Sequence, residues 1–306
     1  ASNGTLGAPG SNPRVYFNSG MTLGAVVPYA TVGNAPAFYD ATCGIRAYTL
    51  AEGTEFDGTS MQQTTLDTTY TANNNHLPLV AAKTVNSIWI DSPGAGRAVD
   101  LSTNILTITS GRIGLTGPND FEFVRAEGSA VYLGGTRYYI NVADAGAKLK
   151  LGVPIVTANN ALYKDGPGAL EFDSTNTFTG GLIINDGLVK YGANGDLAAG
   201  PLLIWGDGVF DFAGMTDTLG AVTVYSGFLT NSGAGGELTI STLALGGMPV
   251  GVPARVDTGT GTLKLGGTVT YANANDPDTA VIAGNLNLNG ATRTFTVNNS
   301  LAPGTD

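Results

Sequence analysis

Cysteine and histidine are almost absent from this sequence of 306 residues, which has one of each, Cys43 and His76. One cysteine excludes a disulfide within the chain, and we interpret Cys43 as a small buried residue, with an intermolecular disulfide as the alternative. One histidine argues against serine-type triads and excludes zinc sites built from several histidines. Because His76 follows three asparagines, a loop histidine is a simpler interpretation than a catalytic base.

Charged residues are also scarce, at 12% of the chain, and basic ones are the scarcer kind, with 14 Lys and Arg against 24 Asp and Glu. The resulting net charge of −10 and the scattered basic residues exclude nucleic acid and anionic membrane surfaces as partners. No run of apolar residues is long enough for a membrane-spanning helix. A chain of this length with almost no thiol fits either a reduced cytosol or a secreted bacterial fibre, and the low charge and the abundance of Gly, Thr and Asn favour the fibre.

Helical periodicity is missing too. The best helical stretch, residues 48–56, is short, whereas β-branched and aromatic residues alternate with polar ones throughout the chain. Turn sequences rich in Gly, Asn, Asp and Pro separate these stretches, and the chain has 45 glycines in all. The sequence therefore predicts an all-β fold.

A short phrase, a glycine followed by alternating apolar residues, recurs along the chain. It begins at Gly111, Gly128, Gly146, Gly168, Gly187, Gly208 and Gly227, and again at Gly261 and Gly284. Successive glycines among the first seven are about 20 residues apart, and a repeat of this length is typical of stacked coils. The phrase therefore predicts a β-solenoid, in which each turn of the chain buries its apolar side chains against its neighbours.

The phrase divides the chain into two parts. Residues 81–306 form the predicted solenoid, which we expect to continue or to meet another copy beyond Asp306. Residues 1–80 lack a clear repeat, and we interpret them as an irregular β-rich segment: opening turns, a cap that shields the first open edge, or a separate small β unit.

Residues 161–191 resemble the autotransporter-associated β-strand repeat. The resemblance rests on Lys164, the glycines at 166 and 168, Asn176 before Thr-Phe-Thr, the pair Gly180-Gly181, and Gly187-Leu188. Weaker echoes extend it over residues 25–300. It implies a right-handed parallel β-helix with about 20 residues per turn, in an exported protein of a Gram-negative-type bacterium. It brings no catalytic residues with it.

The motif also has a physical interpretation of its own. Asn176 stands where a polar side chain inside a coil or at its corner can satisfy backbone groups. Gly180-Gly181 and Asn185-Asp186-Gly187 supply sharp corners on either side of a strand at 182–184.

Carboxylates are the first candidates for chemistry, because a pair of them can cleave glycosides. The candidate pairs are Asp207 with Asp211, Asp165 with Asp173, and Glu122 with Glu127. We interpret each as a solvated corner or face, and Asp276-Pro277-Asp278 as a turn in preference to a calcium site. The sequence thus predicts no enzyme, no cofactor and no metal.

Two functions remain. The first is an extracellular structural solenoid that forms a surface filament, sheath or fibre by self-association. The second is an adhesin that binds glycans or host surfaces through one face, which requires an aligned stripe of aromatics; the candidates are Tyr132, Tyr138, Tyr139, Trp89 and Trp205. A polysaccharide-degrading enzyme is the least favoured alternative. Phe172, Tyr191, Phe210 and Phe212 are predicted to be core residues instead.

Overall fold

A computed structural model describes residues 6–7, 13–18, 23, 25–33, 35–48, 54–55, 64–67, 76–79, 81–92, 94–247, 253–271 and 279–298. Within these residues all regular secondary structure is β-strand, and the strands form two sheets. The predicted all-β class is therefore confirmed. Most of the stretch 48–56, which had the best helical pattern, lies outside the described residues.

The smaller sheet is antiparallel and comes first in the chain. Its strands are β1 (Ala25–Val32), β2 (Ala35–Asp40) and β3 (Gly44–Ala47). It has a small apolar cluster of its own, formed by Val27, Ala37, Tyr39 and Ile45.

The larger sheet has 24 strands. It begins with β4 (Thr54–Glu55), β5 (Thr64–Asp67), β6 (His76–Pro78), β7 (Lys83–Asp91), β8 (Arg97–Asp100), β9 (Ile105–Thr116), β10 (Phe121–Val124), β11 (Ala130–Leu133) and β12 (Tyr138–Val142). It continues with β13 (Lys148–Leu151), β14 (Ile155–Thr157), β15 (Leu162–Asp165), β16 (Ala169–Phe172), β17 (Leu182–Ile184), β18 (Leu188–Tyr191), β19 (Leu202–Ile204) and β20 (Val209–Asp211). It ends with β21 (Asp217–Val224), β22 (Gly227–Thr230), β23 (Glu237–Leu245), β24 (Ala254–Leu265), β25 (Val269–Tyr271), β26 (Val281–Asn287) and β27 (Phe295–Val297).

All strand pairs of the larger sheet are parallel, and from β5 onward each strand pairs with one that lies a full turn of the chain away. Ile88 is aligned with Ile113, Ile113 with Ile140, and Ile184 with Ile204. The larger sheet is thus a parallel β-solenoid, as predicted, and we call each complete turn of it a rung.

A rung has up to three strands, and they build three faces. Face A consists of β4, β5, β12, β15, β17, β19, β25, β27 and the second halves of β7, β9, β21 and β23. Face B consists of β6, β8, β10, β13, β16, β18, β20, β22 and the first halves of β24 and β26. Face C consists of β11, β14, the first halves of β7, β9, β21 and β23, and the second halves of β24 and β26.

Face C is interrupted in the middle of the solenoid. No strand of this face lies between β14 and β21, and the loops 173–181 and 192–201 run there instead. Rungs in this region, such as the one from Ile184 to Ile204, are shorter because they lack the third strand. Rungs with three strands, such as the one from Ile113 to Ile140, need a longer stretch of chain.

The core lies inside the three faces, where aligned side chains form columns along the axis. The column of face A reads Ile88, Ile113, Ile140, Lys164, Ile184, Ile204, Val224 and Leu245, and all eight side chains are buried. Face B contributes Phe172, Tyr191 and Phe210 to the same core, and Phe212 follows β20 into it. The prediction that these four aromatics are core residues is confirmed.

Glycines occupy the corners between faces. Gly181 and Gly187, on either side of β17, have φ values of +94° and +71°, which L side chains rarely adopt. A Cβ atom on Gly180 would clash with the backbone carbonyl group of Asn160 in the rung before it. The predicted corners around strand 182–184 are therefore confirmed.

Residues before 81 contribute to both sheets. In addition to β1–β3, this part supplies β4, β5 and β6, which pair in parallel with the solenoid. The C-terminal residues 299–306 lie outside the described part of the chain.

Candidate functional site

The structure separates the three carboxylate pairs that the sequence offered for glycoside cleavage. Asp207 is exposed at the corner before β20, whereas Asp211 is buried at the end of that strand. The Asp211 carboxylate accepts hydrogen bonds from the amides of Ala213 and Ser232 and from the Ser232 hydroxyl. Both carboxylate oxygens therefore already accept hydrogen bonds from within the solenoid.

The other two pairs separate in a similar way. Asp165 ends β15 on face A, whereas Asp173 follows β16 on face B. Glu127 is exposed beyond β10, whereas Glu122 lies within it. The carboxylates that do meet are Glu122 and Asp173, whose oxygens lie 3.3 and 2.8 Å from the Lys150 ammonium group. Because one ammonium group bridges the two carboxylates, the three side chains form an ion-pair network of face B.

Lys164 is the one charged member of the interior column of face A. Its side chain is fully buried, and its Nζ donates to the carbonyl oxygens of Asp165, Gly166 and Asp186 at 3.0, 2.6 and 3.1 Å. Burial lowers the pKa of Lys164 to about 8. The ammonium group thus joins the corners of two successive rungs.

Asn176 replaces a strand where face C is interrupted. Its Oδ1 accepts a hydrogen bond from the Ile155 amide of β14, and its Nδ2 donates to the carbonyls of Ser174 and Asp196. The side chain is 3% exposed. The predicted role of Asn176, satisfying backbone groups inside the coil, is therefore confirmed.

Asp196 lies in the next loop and is fully buried. Its Oδ2 accepts hydrogen bonds from the amides of Gly192 and Ala193, whereas its Oδ1 has no partner among the described residues. Burial raises the pKa of Asp196 to about 7, and the nearby carboxylates of Asp173 and Asp217 act in the same direction. We call the set Asp173, Asp196, Asp217 and Tyr191 the acidic corner.

Tyr191 adds a second buried oxygen to the acidic corner. Its hydroxyl meets no partner at good hydrogen-bond geometry, although Asp217 and Asp196 lie close enough to act on it. Burial is the main reason why the pKa of Tyr191 lies well above its usual value. Sequence analysis assigned Tyr191 to the core but missed Asp196, because Asn194-Gly195-Asp196 has the composition of an exposed turn.

Aromatic residues on the outside of face A form two stacked pairs. Tyr139 and Tyr163 lie on adjacent rungs with ring centroids 5.0 Å apart, and the ring centroids of Trp205 and Tyr225 lie 4.1 Å apart. Ile183 and Leu203 continue the column of Tyr139 and Tyr163. We call these six half-buried residues the aromatic stripe.

The other aromatics proposed for such a stripe lie elsewhere. Tyr138 is a core residue, and Tyr132 is exposed on face C. Trp89 is 5% exposed and lies near the Arg112 guanidinium, whose NH1 donates to the carbonyls of Val27 and Ala30 in β1. The small sheet therefore packs on the outside of face A beside Trp89.

A cleft of about 510 Å³ opens beside Tyr139 at the corner between faces C and A. It is lined by Asn86, Thr109, Ser110, Gly135, Thr136, Arg137 and Tyr139. Hydroxyl, amide and guanidinium groups beside an aromatic ring are suited to a polar ligand such as a sugar.

Three sequence candidates remain to be placed. His76 begins β6, Cys43 is half-buried between β2 and β3 with a free thiol, and residues 276–278 lie outside the described residues. Over the described ranges, no three residues among His, Cys, Asp and Glu are grouped so that they could hold a metal ion.

None of the described residues forms a helix long and apolar enough to cross a membrane. Comparisons of the chain with protein-family models, with curated proteins and with solved structures find no match. The fold and the geometry of its surfaces are therefore the basis for considering function.

Proposed function

We propose that this chain is the structural rod of an extracellular surface protein, which builds a filament, sheath or fibre by associating with copies of itself. As the resemblance to the autotransporter-associated repeat implies, it would act outside a Gram-negative-type bacterial cell. The proposal rests mainly on the parallel pairing of faces A and B, which runs from rung to rung through the described part of the solenoid around one apolar core.

Continuous pairing supports a mechanical role. Every rung donates and accepts main-chain hydrogen bonds along the axis, so that bending or opening the rod breaks many of them together. Charged side chains of successive rungs also pair on the outside of face B, as in Lys150 with Glu122 and Lys148 with Glu171. A body of this kind keeps its length and resists proteolysis, since few backbone groups are open to a protease.

Self-association is supported by the last described rung. Phe295 and Val297 occupy positions that are buried in earlier rungs, yet 49% and 77% of their surface is exposed. Among the described residues, β27 pairs only with β25. In our proposal a second copy pairs with the outer edge of β27 and covers these two apolar side chains.

Sedimentation velocity and electron microscopy of the 306-residue chain test this proposal. We expect assemblies that grow with concentration, and we expect Val297→Lys to reduce them because a charge in an apolar contact is costly. Tyr132→Lys, which places the same charge on face C, is the matched control. Monomers at every concentration, or an equal effect of both substitutions, would contradict the proposal.

A second function, glycan binding, is favoured by one observation. The rung after Tyr225 places Gly246 at the equivalent position, so that no side chain of that residue covers the outer face of the Tyr225 ring. A ring face that Gly246 leaves open, next to the Trp205 ring, is in this proposal a platform on which a sugar ring can pack.

Affinity electrophoresis against neutral and acidic polysaccharides tests the second function. If the aromatic stripe binds sugars, Tyr225→Ala weakens retention by about tenfold, whereas Tyr132→Ala on face C leaves it unchanged. Absence of retention for the wild-type chain on all polysaccharides would count against an adhesin.

A further inference from the structure

We propose that the acidic corner is a proton-binding site, in which Asp196 carries a proton on Oδ1 and releases it when the surrounding pH rises. The proton holds the loop 192–201 against β21, and its loss loosens this contact. The middle of the rod, where face C is interrupted, would then be its pH-sensitive part.

The two oxygens of Asp196 have different surroundings. Oδ2 accepts hydrogen bonds from the amides of Gly192 and Ala193 at 3.1 and 2.7 Å, and these bonds stabilise negative charge on this oxygen. Oδ1 is buried and accepts no hydrogen bond from the described residues. A bare carboxylate oxygen that is cut off from water is unfavourable, and a proton is the simplest group that removes its charge.

The neighbours of Asp196 also favour a proton. The titratable groups that act on it are the carboxylates of Asp173 and Asp217 and the hydroxyl of Tyr191. The cations of the neighbouring strands each have another partner: Lys150 binds Glu122 and Asp173, Lys190 lies near Asp211, and Arg125 donates to Ser174. An ionised Asp196 would therefore face like charge, with no cation bound to it among the described residues.

The corner links three successive levels of the rod. The Asp196 carbonyl accepts hydrogen bonds from the backbone amide and Nδ2 of Asn176. On its other side, the Gly195 amide donates to the Thr216 carbonyl and the Leu197 amide to the Asp217 carboxylate. Repulsion between Asp196 and Asp217 therefore acts directly on the contact between the loop 192–201 and β21.

The direction of the effect on stability follows from linkage. The pKa of Asp196 is raised in the folded chain, to about 7 from 3.8, so that between these values the folded state binds more protons than the unfolded state. Stability then falls as pH rises through this range and is constant above it. For one proton, the equilibrium constant of unfolding increases by up to about tenfold per pH unit.

Denaturant unfolding of the whole chain between about pH 4.5 and pH 8 tests the proposal, with Asp196→Asn as the variant. The amide is nearly isosteric with a protonated carboxyl group and cannot ionise. We expect the fall in stability of the wild-type chain to be absent in this variant and to be retained in Asp207→Asn, which changes an exposed corner. Equal slopes in the wild type and Asp196→Asn would overturn the proposal.

Two further measurements keep the test decisive if Asp196→Asn does not fold. Carbon-13 NMR of the wild-type carboxyl groups reports the titration of Asp196 directly, and a midpoint near the ordinary value of about 4 would contradict the proposal. Calcium chloride added at about pH 8 separates a proton site from a cation site. If calcium raises the stability of the wild type and not that of Asp196→Asn, the corner binds a cation and the proton proposal is wrong.

Discussion

Single polar side chains complete the backbone hydrogen bonding of this solenoid where strands are missing. The Oδ1 atom of Asn176 accepts the hydrogen bond from the Ile155 amide. In an uninterrupted face C, a carbonyl of the next strand would accept this bond. Asn231, also buried, has a similar role in a later rung, accepting from the Gly214 amide and donating to the carbonyls of Gly235 and Thr258. Buried amides of this kind are stable only because all of their polar groups are satisfied.

Replacing Asn176 with alanine is expected to lower the free energy of unfolding by about 2–4 kcal/mol, because the Ile155 amide and the Ser174 carbonyl lose their partner in the core. Urea unfolding followed by circular dichroism measures the change. Asn185→Ala removes an exposed amide that bonds to the Asp165 side chain, and we expect a change within about 0.5 kcal/mol. Equal losses in the two variants would show that Asn176 is not a special position.

Some roles of single residues could be predicted from the sequence and others could not. The role of Asn176 could be predicted, because an asparagine beside Phe178 in a repeat has few ways to be accommodated other than through backbone groups. The burial of Lys164 could not be predicted, because its charge favours the outside although alternation places it on the same side of β15 as Leu162. Three carbonyls at a corner make the inner position possible for its ammonium group.

At the scale of elements, glycine marks corners of more than one kind. A series of five glycines precedes or begins strands of face B, so the spacing within it is the true length of a rung in this region; they are Gly146, Gly168, Gly187, Gly208 and Gly227. Every corner needs a tight turn, and the sequence alone does not reveal which corner a glycine serves.

Two glycines counted in the same repeat belong to other corners. Gly111 lies within β9 between faces C and A, with φ of +69°, and Gly128 precedes β11 of face C. The shorter spacings that follow these two glycines are therefore distances between unlike corners. The rungs to which they belong are in fact longer, because a third strand is present.

The alternating sequence pattern also did not predict the contact between the small sheet and face A. Gly114 lies on the outside of face A, where a Cβ atom would clash with the Trp89 ring. The absence of a side chain lets Trp89 lie flat on the face beneath β1. The Arg112 guanidinium then donates hydrogen bonds to two carbonyls of β1. Burial lowers the pKa of Arg112 to about 10, so that the side chain is charged at neutral pH.

At the scale of the whole molecule, two buried groups give the stability of the rod a pH dependence with two limbs. Asp196 contributes a fall that ends near its folded pKa of about 7. Lys164 contributes a rise at higher pH, because its folded pKa of about 8 lies below its ordinary value of 10.5 and the unfolded state binds more protons between these values. The summed contribution of these two groups to the free energy of unfolding is therefore smallest between about pH 7 and pH 8.

Lys164→Met tests the alkaline limb. The methionine fills a similar volume and cannot titrate, so we expect the rise in stability between about pH 8 and pH 10.5 to disappear in this variant. Lys190→Met, which removes a more exposed lysine of face B, is expected to retain the rise. Denaturant midpoints at a series of pH values measure both. A rise that persists in Lys164→Met would mean that another group causes it and that burial does not lower the pKa of Lys164.

By itself, the sequence determined the class of the fold and the periodic stacking of its rungs. Alternating β-branched and aromatic residues between glycine corners can bury their apolar side chains only against copies of the same pattern, and this is a local property that repeats. Only the tertiary structure decided where face C is interrupted, and which polar residues are buried there. Burial depends on what the rungs above and below provide, so Asp196 in a turn-like sequence becomes a buried carboxyl group with acidic neighbours, while the similar Asp207 is exposed.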